Sequence, residues 1–269
     1  MFTNNTKVDI LNTKFDIILQ AGQSNAEGCG RGQVDCVYEP TDDILYMNNE
    51  REVITFVGGM SICYKSLPFM FDIADYRWKE QNPTGDFSLT FAKNYKEKYL
   101  APDRKVLIIR AAIGGTGFSG GQWKENDTVY RKMLEMVEFA LGLNPENKIV
   151  AMLWHQGEHD SVSHATTEYY YEKLGFIIDK VRKDYANENM PFVLADFVNE
   201  WKSKNEECCA PIIDASRKLA LDKGGAFVET SDLPSNNQKN SDGDDIHFCR
   251  NSLHILGERY FRAFESLIK

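Results

Sequence analysis

The chain has 269 residues, of which 42% are hydrophobic and 12% are aromatic. This composition supplies one large core, and the length is ordinary for a single domain. The formal net charge is -9, and no block of lysines or arginines is present. Such an acidic chain repels anionic polymers, so a nucleic acid is excluded as an expected partner, whereas a neutral or weakly charged substrate fits.

The start of the chain lacks the basic segment, the apolar run and the small-residue cleavage site of a signal peptide. No apolar stretch approaches the length of a membrane span. The six cysteines form no CxxC pair, a spacing that predicts neither a disulfide framework nor a zinc cage. We therefore expect a cytoplasmic protein with reduced thiols and no membrane partner.

In chain order, short apolar runs predict buried strands that alternate with helices. The strands are predicted over residues 15–19, 105–112, 148–154, 191–197 and 226–229. Two of them, KVLIIRAA and KIVAMLW, are almost continuously apolar, which is typical of parallel strands covered on both faces. Apolar residues at helical spacing predict helices over residues 127–142, 165–187, 209–222 and 251–268.

This alternation predicts βαβ units and a three-layer α/β/α fold, in which helices cover both faces of a doubly wound, mostly parallel five-stranded sheet. We expect a single domain over residues 1–269, with an irregular insertion near residues 29–85. Such an insertion over the top of the sheet is a usual place for substrate contacts. The tract at residues 231–245 is interpreted as a polar loop.

Ligands of open α/β sheets bind beyond the carboxyl ends of the strands. Four chemically rich segments follow predicted strands, the last of them after a loop, and they read QAGQSN, IGGTGFSGG, HQGEHD and DGDDIH. We expect all four segments to converge at one rim of the sheet, where they would form a site.

The first segment contains Ser24, for which two roles are open. The tetrad SNAE matches a capping box, in which Glu27 reaches back to the start of a helix. However, Gly28 and Gly30 leave little helix to cap. The other role is that of a nucleophile at the end of a strand, although the GxSxG pattern of the nucleophile elbow is not matched because residue 26 is alanine.

The last segment places Asp244 three residues before His247. In a tight turn, such a carboxylate reaches Nδ1 of the imidazole and leaves Nε2 free to face a serine hydroxyl. Asp245 is too close in sequence for the same turn, and we expect it to be solvated.

The third segment contains a literal HxxEH pattern at residues 155–159, which resembles the inverted zinc-protease motif. That motif needs both histidines on one face of a helix. Here a predicted strand precedes the motif and Gly157 interrupts any helix, so we interpret the pattern as a turn. A zinc-dependent hydrolase is kept as an alternative.

The second segment contains a literal GxGxxG pattern at residues 115–120. No helix is predicted behind it, and no acidic strand end follows at the spacing of a dinucleotide-binding fold. We therefore interpret these glycines as residues that allow backbone N–H groups to come close to an oxyanion.

Taken in order, GQSN, IGGTG, WHQGEHD and DDIHF resemble the blocks of the SGNH hydrolase superfamily. The most similar branch is carbohydrate esterase family 6, with its sialate O-acetylesterase-like and acetylxylan-esterase-like members. The resemblance extends from Phe15 to the last helix. It implies an SGNH, flavodoxin-like fold and a serine esterase that removes O-acetyl groups from carbohydrates without a metal or cofactor.

The resemblance also implies roles for individual residues. Ser24 is the expected nucleophile, and Asp244 and His247 complete a catalytic triad. The oxyanion hole is expected to combine the Ser24 amide, the Gly115 amide and the Gln156 side chain.

Other details stay open at this point. Either Gly114 or Gly115 could supply the backbone N–H to the oxyanion hole. Gln23 and Glu158 are expected to support the site through hydrogen bonds. No role is assigned to Cys29 or Arg31. The acetylated sugar could be a xylan fragment, a sialic acid or another glycoside, and the oligomeric state is not fixed.

A third hypothesis is a sugar-binding module without catalytic activity. Aromatic side chains could stack on a sugar ring, although core packing is the commoner role of such residues. The candidates are Phe56, Tyr64, Trp78 and Trp123.

Overall fold

The computed structural model describes residues 9–33, 35, 43–48, 55–56, 60–61, 65–67 and 86–269. Much of the predicted insertion therefore lies outside the described residues. The side chains of three candidate sugar-stacking residues, Phe56, Tyr64 and Trp78, also lie outside the described part of the chain.

A twisted sheet of seven strands forms the centre of the described part. Its strands are β1 (Lys14–Gly22), β2 (Ile44–Asn48), β5 (Lys65–Leu67), β6 (Arg104–Ala112), β7 (Lys148–His155), β8 (Phe192–Ala195) and β9 (Ala226–Val228). Their order is β5-β2-β6-β1-β7-β8-β9. All neighbours are parallel except β5, which pairs with β2 in the antiparallel direction. Two short strands, β3 (Thr55–Phe56) and β4 (Met60–Ser61), pair separately.

The α/β fold with a mostly parallel, doubly wound sheet is confirmed, but the described sheet contains two strands more than the five predicted. The strand β2 lies inside the segment that was interpreted as an irregular insertion. Its apolar run ILYM is only four residues long, yet both faces are buried, with Leu45 in one core and Tyr46 in the other. Pairing with β6, rather than local periodicity, makes this run a strand.

Nine helices are present in the described residues. They are α1 (Ser24–Glu27), α2 (Ser88–Lys98), α3 (Thr128–Gly142), α4 (Glu158–Val162), α5 (Thr167–Tyr185), α6 (Asn199–Lys204), α7 (Glu206–Asp222), α8 (Asn236–Asn240) and α9 (Arg250–Leu267). Helices α3, α5 and α7 cover one face of the sheet, while α2 and α9 cover the other. The three-layer arrangement is thus confirmed. Over the ranges described, no helix is both long and apolar enough to span a membrane.

The interpretation of residues 231–245 as a loop is wrong in part, because this tract contains α8. A capping box begins the helix: the Ser235 hydroxyl accepts a hydrogen bond from the Gln238 backbone, and the Gln238 side chain accepts one from the Ser235 N–H. This reciprocal bonding satisfies two backbone donors and stabilises a helix of only one turn in an otherwise polar tract.

Three central strands end level with one another. In the pairing register, Gly22 of β1 lies opposite Ala112 of β6 on one side and His155 of β7 on the other. Chain order reverses at β1, because β6 and β7 flank it on opposite sides. The segments that leave these strands therefore meet at the switch point of the sheet, where open α/β folds bind ligands.

Candidate active site

Ser24 is the first residue of α1, and one residue, Gln23, separates it from the end of β1. The helix-capping position belongs to Gln23, which makes no side-chain capping bond. Glu27 bonds to the Gly114 N–H at 2.6 Å, so the capping-box alternative for Ser24 does not describe this turn. The Ser24 hydroxyl instead lies 2.8 Å from Nε2 of His247.

The structure brings Ser24, His247 and Asp244 together in one chain of hydrogen bonds. Nδ1 of His247 lies 2.8 and 2.9 Å from the two carboxylate oxygens of Asp244. Asp245, in contrast, points away and forms a half-exposed ion pair with Lys204 at 2.8 Å. The spacing of Asp244 and His247 thus produces the tight turn expected from the sequence.

The charges around His247 favour its protonated form. Burial acts to lower the pKa of His247, but hydrogen bonds to Asp244 and to Cys29, with the charges of both groups, raise this pKa to about 10. Burial acts to raise the pKa of Asp244, whereas the hydrogen bond and charge of His247 lower it below its usual value. Carboxylate and imidazole therefore stabilise each other's charged forms.

Two residues to which the sequence assigned no role contact this pair. The thiol of Cys29 lies beside His247 and helps to raise the pKa of its imidazole. The guanidinium of Arg31 lies 3.8 Å from Asp244 and 3.1 Å from Asp242. Both residues belong to the segment that follows α1, so this segment lines the carboxylate–imidazole pair.

The structure distinguishes the two candidate glycines at the end of β6. The Gly114 N–H is occupied, since it donates to Glu27 at 2.6 Å. Gly115 has a φ of +72°, and nothing lies within 4 Å of the position where a Cβ would stand. Among the described residues, the Gly115 N–H has no acceptor, which leaves it as the glycine amide available to a ligand.

Gln156 lies at the same rim, but its amide is already engaged. Its Nε2 lies 2.7 Å from Asp160 Oδ2, 3.1 Å from the Thr116 carbonyl and 3.2 Å from Gln23 Oε1. An amide nitrogen carries two hydrogens, and three acceptors compete for them here. In this arrangement Asp160, Thr116 and Gln23 hold the Gln156 amide within the protein, and its role as an oxyanion donor stays a prediction.

Asp160 holds the glycine-rich loop in place, a role that the sequence did not reveal. Its buried carboxylate accepts hydrogen bonds from the backbone N–H groups of Phe118 at 3.0 Å and Ser119 at 2.7 Å, as well as from Gln156. Gly117 allows this approach, since a Cβ there would lie 2.7 Å from the carboxylate. One carboxylate thus connects the loop after β6 to the turn after β7.

We expect Asp160→Asn to lower the free energy of unfolding by about 2–3 kcal/mol, because an amide NH2 would face backbone donors in a buried position. Urea unfolding would measure this change. The control is Asp179→Asn, which removes an exposed ion pair with Lys223 and should change stability little. Equal stability of both variants would contradict the role of Asp160.

The supporting residues Gln23 and Glu158 form hydrogen bonds around the site. Oε1 of Gln23 accepts from the His159 N–H at 3.2 Å, which fixes the turn between β7 and α4. Glu158 is buried, which raises its pKa, and it accepts from Asn25 at 2.9 Å. Asn25 also bonds to the backbone on both sides of His247, at residues 246 and 248.

The two histidines of the HxxEH pattern do not share a helix. His155 ends β7, while α4 begins at Glu158. His155 is buried, which lowers its pKa to about 3, and its Nδ1 lies 3.3 Å from the Tyr260 hydroxyl. Within the described ranges, no group of three or more histidine, cysteine or acidic side chains is arranged to hold a metal ion.

Trp123, the remaining candidate for sugar stacking, belongs to the core. It is fully buried, its ring packs edge-on against Trp154, and its Nε1 donates to Thr116. The stacking role considered for Trp123 is therefore wrong, because the indole lies beneath the rim and not on it.

Comparison with solved structures shows the same fold in several proteins. NanS gives a TM-score of 0.73 at 17% identity, and the match covers 95% of this chain and 98% of the NanS chain. XAC1771, a carbohydrate acetylesterase from Xanthomonas citri, gives a TM-score of 0.61 at 14% identity. This match covers 94% of this chain and 56% of the XAC1771 chain. Another similar structure is that of the Arabidopsis thaliana protein At4g34215, with a TM-score of 0.66 at 18% identity, covering 93% of this chain and 98% of that one.

In sequence, the Arabidopsis thaliana protein, named a probable carbohydrate esterase, is 25% identical over 132 residues, which are 45% of this chain and 49% of that protein. The match thus spans 49% of the relative's length. These solved structures share the α/β fold of this chain. The chain belongs to the family of carbohydrate esterases described as sialic acid-specific acetylesterases, whose model matches residues 14–266. The description of this family names acetyl ester hydrolysis.

Proposed function

We propose that this protein removes O-acetyl groups from carbohydrates through Ser24, His247 and Asp244. The observation that carries this proposal is the 2.8 Å separation of Ser24 Oγ and His247 Nε2, with Asp244 on the other ring nitrogen. Hydroxyl, imidazole and carboxylate in this order form the arrangement that activates serine in hydrolases. The family description, which names an acetylesterase, supports the same chemistry.

The reaction follows from this order of groups. Ser24 Oγ attacks the acetyl carbonyl carbon while Nε2 of His247 takes the hydroxyl proton. Asp244 accepts the Nδ1–H bond, which fixes the tautomer and stabilises the imidazolium. The tetrahedral intermediate then expels the sugar oxygen, which takes the proton from His247. Water, deprotonated by the same imidazole, attacks the carbonyl carbon of the acetyl-serine ester. The second tetrahedral intermediate expels Ser24 Oγ, which takes the proton back from His247, and acetate is released.

The negative charge on the carbonyl oxygen needs donors that are fixed beforehand. Ser24, as the first residue of α1, has a backbone N–H without an acceptor inside its helix. Gly115 supplies a second N–H from the opposite loop. The loss of one such donor typically costs on the order of 3–4 kcal/mol of transition-state stabilisation. The amides of Ser24 and Gly115 therefore form the oxyanion hole in this proposal.

Acetate release from a set of acetylated carbohydrates tests the proposal. The set contains O-acetylated sialic acid, acetylated xylo-oligosaccharides and another acetylated glycoside. We expect acetate from at least one of them, inhibition by a fluorophosphonate and no inhibition by a chelator. Inactivation by the chelator would instead favour a zinc-dependent hydrolase, and binding of the sugar without acetate release would favour a binding module.

We expect the rate of ester hydrolysis to rise with pH through an apparent pKa above the ordinary histidine value of 6.5. Only the neutral imidazole of His247 can accept the serine proton, and Asp244 and Cys29 raise the pKa of that imidazole. The profile of kcat/KM against pH measures this limb. Cys29→Ala should move the limb to lower pH, because one of the groups that raise the pKa is lost. An apparent pKa of this limb at or below 6.5 would contradict the prediction.

A further inference from the structure

Asn236 lies next to the carboxylate–imidazole pair, at the first position of α8. The capping box formed by Ser235 and Gln238 begins this helix and fixes the position of Asn236. The side chain of Asn236 has no exposed surface. It lies between Asp244 and the segment that follows α1, so it occupies a buried place beside the reacting groups.

Both the nitrogen and the oxygen of the Asn236 amide are hydrogen-bonded. Nδ2 donates to Asp244 Oδ2 and to the carbonyl of Cys29, both at 2.9 Å. Oδ1 accepts from the backbone N–H of Arg31 at 2.8 Å. The partners also fix the orientation of the amide, since two oxygens face the nitrogen and an N–H faces the oxygen. One side chain thus joins Asp244 to the segment after Ser24.

The backbone of α8 also contacts the carboxylate–imidazole pair, through its first two N–H groups. The N–H of Asn236 donates to the His247 carbonyl at 2.8 Å, and the N–H of Asn237 donates to the Asp244 carbonyl at 2.8 Å. These are N–H groups of the first helical turn, which have no acceptor inside their own helix. Asn236 therefore contacts both Asp244 and His247.

The surroundings of Asp244 give this contact an electrostatic effect. In the described part of the chain, Asn236 and His247 are the two residues that hydrogen-bond to this carboxylate. The other charged or titratable groups near the pair, among the described residues, include Arg31 at 3.8 Å from Asp244, Asp242 behind Arg31, the Cys29 thiol beside His247 and Glu158, whose pKa the charge of His247 lowers. The Asn236 donor stabilises the ionised carboxylate, which is the form that binds the imidazolium.

We propose that Asn236 is a positioning residue of the esterase site: its amide orients Asp244 toward His247 and ties both to the segment that follows the nucleophile. This inference rests on the proposed function, because it assigns Asn236 a role through the same triad. Asn236 does not contact the reacting ester, so it acts on kcat through the orientation and basicity of Asp244.

Two variants test this inference. Asn236→Leu removes all three amide bonds at similar size, and Asn236→Asp keeps the shape but replaces the donor by a negative oxygen. We expect kcat to fall roughly 10- to 100-fold with KM within about twofold of the wild-type value. The acid limb of the pH profile should move to lower pH for the Leu variant, because the ionised Asp244 that stabilises the imidazolium loses a donor, and to higher pH for the Asp variant, because a negative charge is added beside the pair.

The matched control is Asn94→Leu. The Asn94 side chain is half-buried and donates to the Thr90 carbonyl at 2.8 Å within α2, away from Asp244 and His247. We expect its kcat to stay within about threefold of the wild-type value and its acid limb to stay in place. If Asn236 served stability alone, the acid limb would stay in place in both Asn236 variants as well as in the control.

The results separate this inference from the proposed function. If Ser24→Ala retains esterase activity, the proposed function is wrong and Asn236 has no triad to position. If Ser24→Ala is inactive while both Asn236 variants keep the wild-type kcat and acid limb, the role of Asn236 is wrong. Should the Leu variant not fold, as judged by circular dichroism, the limb of the isosteric Asp variant decides.

Discussion

Ser24→Ala should reduce ester hydrolysis by roughly 10⁴- to 10⁶-fold, which is the loss seen when a serine hydrolase loses its nucleophile. The hydroxyl makes one hydrogen bond, to His247 at 2.8 Å. Its removal therefore deletes the attacking atom and leaves the packing of α1 and β1 intact. Hydrolysis of 4-nitrophenyl acetate, followed together with thermal unfolding, measures both effects.

Ser203→Ala is the control for this variant. The Ser203 hydroxyl is exposed and bonds only to the carbonyl of Asn199 at 2.7 Å within α6, so its loss should leave the activity unchanged. Full activity of Ser24→Ala in a folded protein would overturn the serine mechanism. Labelling by a fluorophosphonate gives an independent test, because the wild-type protein should gain one adduct and Ser24→Ala none.

The second large effect is expected for Asp244→Asn. The amide has nearly the size of the carboxylate, but its NH2 group can turn toward Nδ1 of His247, which lies 2.8 Å from Oδ1. Nδ1 must then act as an acceptor, so the proton moves to Nε2 and the imidazole cannot accept the proton of Ser24. We expect kcat to fall roughly 10⁴-fold at neutral pH.

Asp245→Asn is the matched control for Asp244→Asn. The two residues are adjacent, but the Asp245 carboxylate pairs with Lys204 near the surface. We expect the Asp245 variant to retain activity and the Asp244 variant to lose it while both fold equally well. Equal losses in both variants would mean that the charge of the loop matters, and not the contact with His247.

Much of the fold could be predicted from local patterns, and the exceptions have physical reasons. The strands β6 and β7 are almost continuously apolar because both of their faces are covered. The strand β2 escaped prediction because four apolar residues carry no usable period, and its place in the sheet depends on pairing with β6. Helix α8 escaped because its polar residues resemble a loop, whereas its capping bonds make it a helix.

The candidate site also contains residues that the sequence could indicate and residues whose roles it could not. The chemistry-bearing residues could be located because serine, aspartate and histidine occur in recognisable segments after strands. The roles of Asp160 and Asn236 could not be predicted, because they consist of hydrogen bonds between segments that are distant in sequence, such as the contact between Asn236 and Cys29. The hydrogen bond from the Gln156 amide to Asp160 was not predicted either, and the oxyanion role of Gln156 stays a prediction.

The contact between Ser24 and His247 joins positions 223 residues apart, and this separation matters during biosynthesis. A nascent chain that has emerged as far as β9 already contains every parallel strand described here. It still lacks the imidazole and carboxylate that would activate the serine hydroxyl, and it also lacks α9, whose apolar side chains cover one face of the sheet. Turnover would therefore begin only after the final segment has been synthesised and has docked beside the segment that holds Ser24.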